Sequence, residues 1–213
     1  MGVSLQSERT EKGTVLRKLA LFASAGAVLV LATFAHSQQI DFAVGASGLL
    51  SSKDTTASQA YLPAAEKGGT YASFSGDVIF KNHFGFSAEL ATRAKYGLYN
   101  NYQQYRPILY DINGVFAPRV GERTSVHLMA GVGGQSVLFY NKYYLCTYPS
   151  GCTAHVNSTQ LLAHAGASIH YSVWRNFFVG PEAHFYHIVN NTAFHSDNVF
   201  RLGASVGYTF GSE

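Results

Sequence analysis

Residues 84–96 read FGFSAELATRAKY, and the behaviour of every second residue in that stretch decides the fold. Phe84, Phe86, Ala88, Leu90, Ala94 and Tyr96 share one face, while Gly85, Ser87, Glu89, Ala91, Arg93 and Lys95 share the other. A repeat of two is the period of a β-strand, whose successive side chains point to opposite faces. One face is apolar and aromatic. The other is small, with charges of both signs.

The same alternation recurs on both sides. Upstream it covers Ile40 to Leu50 and Tyr71 to Phe80; downstream it covers Tyr105–Phe116, Ser125–Phe139, Gln160–Val173, Phe177–Ile188 and Arg201–Phe210. No helical period of useful length follows residue 37. Eight strands are therefore expected, an even number. Their connections sort by length. KNH (81–83), APRVGER (117–123) and WRN (174–176) are short turns, and the intervening connections are long and polar. A soluble sandwich has no reason to sort loops in this way. A transmembrane barrel has short turns at one end and long loops at the other. Strands of about 10–14 residues also exceed the usual 5–6 of soluble sheets and match the 9–11 that cross a bilayer at a tilt.

Composition agrees. Of 213 residues only 13% are charged, whereas 21 are Gly, 14 Tyr and 15 Phe. An average soluble domain is about 25% charged, and a disordered chain needs low hydrophobicity with high net charge. The N-terminus reads as a separate element. Lys12, Arg17 and Lys18 precede the apolar run LALFASAGAVLVLATF (19–34), and Ala35 and Ser37 occupy the −3 and −1 positions before Gln38. A basic segment, an apolar segment and small residues at a cleavage point make a signal peptide; the run is short for a spanning helix, which needs about 20 residues. Residues 1–37 are expected to be cleaved, leaving 38–213 as one barrel domain. The mature chain keeps 11 basic and 10 acidic residues. No basic stripe remains for a phosphate backbone, so nucleic acid is excluded as a partner. Cys146 and Cys152 flank the turn chemistry TYPSG. In an exported chain they are expected to form a disulfide.

The polar faces decide which surface meets lipid. They carry Asp41, Asp77, Glu89, Arg93, Lys95, Asp111, His127, His164, Glu182, His184 and Arg201 among many Gly, Ser and Ala. Sparse charges among small residues suit a cramped lumen, and eight strands enclose just enough width for side chains to fill. A soluble lipocalin-like binder would need that face outside, where it is too poor in charge. Aromatics near strand ends (Phe84, Tyr96, Phe116, Tyr171, Phe177, Tyr208, Phe210) resemble interfacial girdles.

The signal segment, the eight alternating strands, the sorted loops and the ending GYTF (207–210) together resemble the small eight-stranded outer-membrane β-barrel family, the membrane part of OmpA-like proteins. The likeness covers residues 38–213. It implies an all-β, antiparallel, up-and-down transmembrane barrel in the bacterial outer membrane, with membrane lipid as its surroundings. It also implies that the terminal aromatics Tyr208 and Phe210 serve as a signal to the barrel-assembly machinery. Here Gly211, Ser212 and Glu213 follow Phe210, a departure from a terminal aromatic.

Glu89, Arg93, Lys95, Asp111, Glu182, His184 and Arg201 are expected to form a lumenal polar network, Glu89 with Arg93 on one strand and Arg201 toward Glu182 on the neighbouring strand. Buried charges need partners, so the network reads as a structural plug rather than an ion path. Inward His127, His164, His170 and His184 have no ligand spacing that fixes a metal geometry, and no metal or cofactor is expected. The HYS triplet (170–172) repeats the His and Ser, two apart, of lipid A deacylases. It falls at the short-turn end, away from outer-leaflet lipid, so no enzymatic activity is expected. The expectation is a monomeric filled barrel with a structural or surface-contact role, with porin-like conduction as the alternative. The Tyr- and Asn-rich loops would carry any contact with an extracellular ligand.

Overall fold

In the computed structural model the alternating stretches become one closed sheet. The structure describes residues 39–51, 66, 68–80, 83–99, 103–147, 151–191, 194 and 196–211, with the side chains of 141–154 left out. The N-terminal segment 1–37, read above as a signal peptide, lies outside the described residues.

The strands are β1 (Gln39–Ser51), β2 (Thr70–Ile79), β3 (Phe84–Arg93), β4 (Gly97–Tyr99), β5 (Gln103–Phe116), β6 (Arg119–Gly121), β7 (Thr124–Thr147), β8 (Gly151–Trp174), β9 (Phe177–Ile188) and β10 (Asn198–Phe210). Eight are long and form the wall; β4 and β6 are three-residue pieces that pair with β5 and β7 respectively. All pairings are antiparallel. The ring closes where β1 meets β10, in register from Ile40↔Phe210 to Ser51↔Val199, and where β5 meets β7. Among the described residues closure leaves no long edge strand with unpaired backbone groups, which a hydrocarbon surrounding requires.

The faces are inverted relative to a soluble protein. Outward residues include Phe86 (62% exposed), Ile112 (67%), Leu161 (63%) and Val206 (58%), whereas Arg201 and His127 are 0% exposed inside. Left in water, each large apolar side chain would forfeit about 1.5–3 kcal/mol of burial, and monomeric soluble proteins rarely expose apolar patches beyond a few hundred Å². The belt is a lipid-facing surface, and the lipocalin-like alternative, which needs the charged face outside, is not the arrangement found. Aromatics mark its two rims. Phe84 packs on Phe116 at 4.8 Å between ring centres, and Tyr208 packs on Phe210 at 4.6 Å, both at the short-turn end. Tyr96 packs on Tyr140 at 5.0 Å at the other end.

Two strands differ from the sequence reading. The expected strand 84–96 is interrupted: register runs to Thr92↔Ile108 and resumes at Gly97↔Tyr105. Ala94, Lys95 and Tyr96 are all exposed at that break, so alternation there no longer sorts residues into wall faces. The second difference is the cysteine-bearing stretch. It is not a long loop between Phe139 and Gln160; β7 and β8 run on for 24 residues each and form a hairpin beyond the long-loop end. A register shift between Tyr140 and Leu145 separates that hairpin from the wall. Cys146 and Cys152 are directly opposed Cα partners within it; their side chains, and so the expected disulfide, lie outside the described residues.

Candidate functional site

The interior is filled in layers, each built by inward positions of different strands. At the short-turn end Ile79, Val115 and Ala117 form a small apolar floor against Met129. The first polar layer lies above it. Asp77 comes from β2, and Ser87 of β3 donates to its Oδ1 at 2.5 Å. His127 of β7 donates from Nδ1 to Asp77 Oδ2 at 3.2 Å, which leaves Nε2 to accept from Ser125 Oγ, also at 3.2 Å. Asp41 of β1 closes the layer: its Oδ2 accepts from Gln39 Nε2 at 2.8 Å and lies 3.6 Å from His170 Nδ1 and 3.9 Å from His127 Nε2.

The second polar layer holds most of the expected network. Arg201 of β10 donates from Nη2 to Glu89 Oε1 on β3, across the lumen, and lies 3.8 Å from Glu182 Oε1. Glu182 also accepts from Ser73 Oγ at 3.4 Å. His184 Nδ1 stands 3.3 Å from Glu89 Oε2 and 3.0 Å from His164 Nε2. Asp111 Oδ1 accepts from Asn113 Nδ2 at 2.5 Å and lies 3.3 Å from His164 Nδ1. Small residues make the crowding possible. A Cβ added at Gly45 would stand 3.0 Å from a Glu182 carboxylate oxygen, and one at Gly166 would stand 3.0 Å from both His164 and His184.

The structure thus brings together Glu89, Asp111, Glu182, His184 and Arg201. It does not bring in the other two. Lys95 is exposed at the break after β3. Arg93 shares the inward face with Glu89 but lies nearer the long-loop end, where its Nη1 donates to Tyr105 Oη at 2.7 Å. Arg201 takes Glu89 as its main partner, not the neighbouring-strand Glu182, because an eight-stranded barrel is narrow enough for an arginine to reach the far wall.

Above the charges, Leu49, Tyr71, Ala91, Leu109, Leu162, Tyr186, Ile188 and Val199 form an apolar layer. Two loop residues seal the top, and the sequence reading contains neither. Glu66, from the connection after β1, is fully buried; Tyr71 Oη and Gln135 Nε2 each donate to its carboxylate at 2.6 Å. Burial pushes the Glu66 carboxyl above its ordinary value, against the two hydrogen bonds and the Arg93 charge, which pull it down. Phe194, from the connection after β9, is 1% exposed and packs on Tyr105 and Val137. Asn191 holds that loop: its Oδ1 accepts from Phe194 N at 3.1 Å and its Nδ2 donates to Ser196 O at 3.0 Å. A lone Glu before KGG and a lone aromatic in a polar loop were the only signals available.

At the opposite mouth a cavity of about 430 Å³ opens between the short turns, lined by Gln39, Ser125, His170, Trp174, Phe178 and Thr209 among others. Tyr208 and Phe210 stand at this end of the wall, with Phe210 outward and half exposed.

A closed ring of eight long strands, an apolar belt outside and a polar, filled lumen define a class of fold: the eight-stranded transmembrane β-barrel of bacterial outer membranes. No protein-family model matches the chain, and no curated protein matches it either. Solved structures do. The chain is similar to the Neisserial surface protein A, with a TM-score of 0.58 at 10% identity over 82% of this chain and 98% of that one. It is similar to Ail, the attachment invasion locus protein of Yersinia pestis, in complex with the heparin analogue sucrose octasulfate, with a TM-score of 0.54 at 14% identity over 81% and 98%. The N-terminal β-barrel domain of Pseudomonas aeruginosa OprF gives 0.53 at 10% identity over 82% and 98%. At these identities the likeness is one of fold.

Proposed function

We propose that the chain is a monomeric outer-membrane protein whose plugged barrel carries surface-exposed hairpins and loops, in envelope structure or in contact with an extracellular ligand, rather than a pore or a catalyst. Export would use residues 1–37 as a cleaved signal, and N-terminal sequencing of the mature protein beginning at Gln38 tests that step.

The observation that carries the reading is the stack of obstructions along the lumen. The Arg201–Glu89 pair crosses it at mid-height, the Tyr71 and Tyr186 rings lie in the layer above, and Glu66 and Phe194 close the top. A porin leaves an aqueous channel because it has 16–18 strands; eight leave only side-chain width. The long β7–β8 hairpin favours a contact role, since it extends past what a bilayer crossing needs.

Planar-bilayer recording of the refolded protein separates this from the channel alternative. Silent membranes with verified insertion are expected. Steady, reproducible conductance steps would refute the plugged lumen.

A further inference from the structure

The first polar layer contains more than a plug requires. Asp41, His127 and His170 come from β1, β7 and β8, and one ligand atom from each lies within 4.8 Å of the others. All three residues are buried, at 1%, 0% and 8% exposure. Two of their polar atoms, Asp41 Oδ1 and His170 Nδ1, make no hydrogen bond. A buried polar atom without a partner costs about 1–3 kcal/mol, and this layer holds two.

We propose that Asp41, His127 and His170 bind one Zn²⁺ ion through a carboxylate oxygen, Nε2 and Nδ1 respectively, with the fourth position open to the cavity at the short-turn mouth. Two imidazoles, one carboxylate and an open position are a zinc donor set. Tetrahedral zinc with bonds of about 2.0–2.2 Å holds its ligands about 3.4 Å apart. The observed separations of 3.6 and 3.9 Å from Asp41 Oδ2 are a few tenths of an ångström longer than that, and the two imidazoles, 3.8 Å apart between ring centres, would swing apart to take the ion between them.

The surrounding groups are placed for the task. A metal-bound imidazole characteristically donates its other N–H to an oxygen that fixes the ring. His127 Nδ1 does so to Asp77, which Ser87 holds in turn, while its Nε2 exchanges the Ser125 hydroxyl for the ion. His170 Nε2 lies 3.3 Å from Ser168 Oγ, and its ring stacks on Phe178 at 4.0 Å. His170 also lines the cavity, so an ion has a route in. Arg119, Arg123 and Arg175 line the same mouth but are exposed at its rim, where solvent and salt screen them over about 8–10 Å.

Two alternatives are weaker. Glu89, His164 and His184 also converge, but Arg201 already neutralises Glu89 there. The row Ser125, His127, Asp77 has the order of a hydrolytic triad, yet it gives no role to Asp41 or to the unpaired His170 Nδ1. Zinc uses both.

The test is Zn²⁺ titration of the tag-free, metal-stripped full chain folded in detergent, with folding verified by heat-modifiable gel migration. One ion per chain is expected. His170→Ala and Asp41→Asn should each weaken binding by roughly 100-fold, the upper end of what losing even an outer partner costs. His187→Ala, an exposed histidine at the other end, should leave it unchanged. Co²⁺ substitution in the unaltered chain should give the strong visible absorption of a four-coordinate site, a readout independent of any variant's folding. No zinc uptake, or His170→Ala binding as tightly as the unaltered chain, would overturn the proposal. Labelling of Ser125 by a fluorophosphonate without zinc uptake would overturn it in favour of the hydrolytic row.

Discussion

Replacing Arg201 with Met keeps a flexible stem and removes the guanidinium with its charge and donors. Arg201 is 0% exposed and Glu89 is 7% exposed. The variant leaves Glu89 without its main partner and Glu182 without the cation 3.8 Å away. Removing one member of a buried ion pair costs about 3–5 kcal/mol, because the remaining charge is stranded away from water. With a urea slope of about 2 kcal/mol/M, the unfolding midpoint of the barrel in lipid vesicles should fall by roughly 1.5–2.5 M. A second variant separates the pair from mere loss of packing. Glu89→Gln combined with Arg201→Met removes the stranded charge, so the double variant should recover about 0.5–3 kcal/mol relative to the sum of the singles. The reasoning fails if Arg201→Met shifts stability by less than about 0.5 kcal/mol, the range of an ordinary surface substitution, or if the two changes simply add.

The Glu66 lid should depend on pH. Because burial raises its carboxyl above the ordinary 4.5, the folded chain keeps that proton where the unfolded chain has lost it. The lid's contribution is then full below about pH 4.5 and declines as pH rises through the folded value. Hydrogen-exchange protection at Gly69–Tyr71 should fall between pH 4 and pH 7, and Glu66→Gln should flatten that dependence; equal protection at both values in the unaltered chain would contradict it. Phe210→Ala should lower the fraction of barrel inserted in cells, read as heat-modifiable protein in outer-membrane fractions, and normal insertion would remove the assembly role. Cys146 and Cys152 are opposed in the outer hairpin and should resist alkylation until reduced. By the chain-entropy estimate their bridge adds about 2 kcal/mol, and two freely alkylated thiols in exported protein would refute it.

What the sequence could reveal follows from period. Alternation places Glu89, Asp111, His184 and Arg201 on the inward wall because each strand sorts its own residues, whatever its neighbours do. It does not name partners across the barrel. Arg93 and Glu89 share a face of one strand, yet Arg93 bonds Tyr105 and Glu89 bonds Arg201; strand stagger and barrel width set those choices, and neither leaves a mark on local spacing. Lys95 fails for a different reason: the break after Arg93 ends the period just before it. Glu66 and Phe194 sit in connections that have no period at all. The Asp41, His127 and His170 cluster joins three strands, and only closure of the ring brings β1 and β8 to one point in the lumen.

The central claim is that the apolar row faces lipid and the polar row faces a filled lumen. Spin labels placed singly at residues 202, 204, 205 and 206 in β10, with the protein in lipid vesicles, test it directly. Positions 202, 204 and 206 should be open to oxygen and closed to a water-soluble nickel relaxant, as lipid-facing sites are. Position 205, which faces inward, should be poorly accessible to both. Uniform accessibility along the strand would contradict the inverted barrel. Strong nickel access at 205 would contradict the filled lumen.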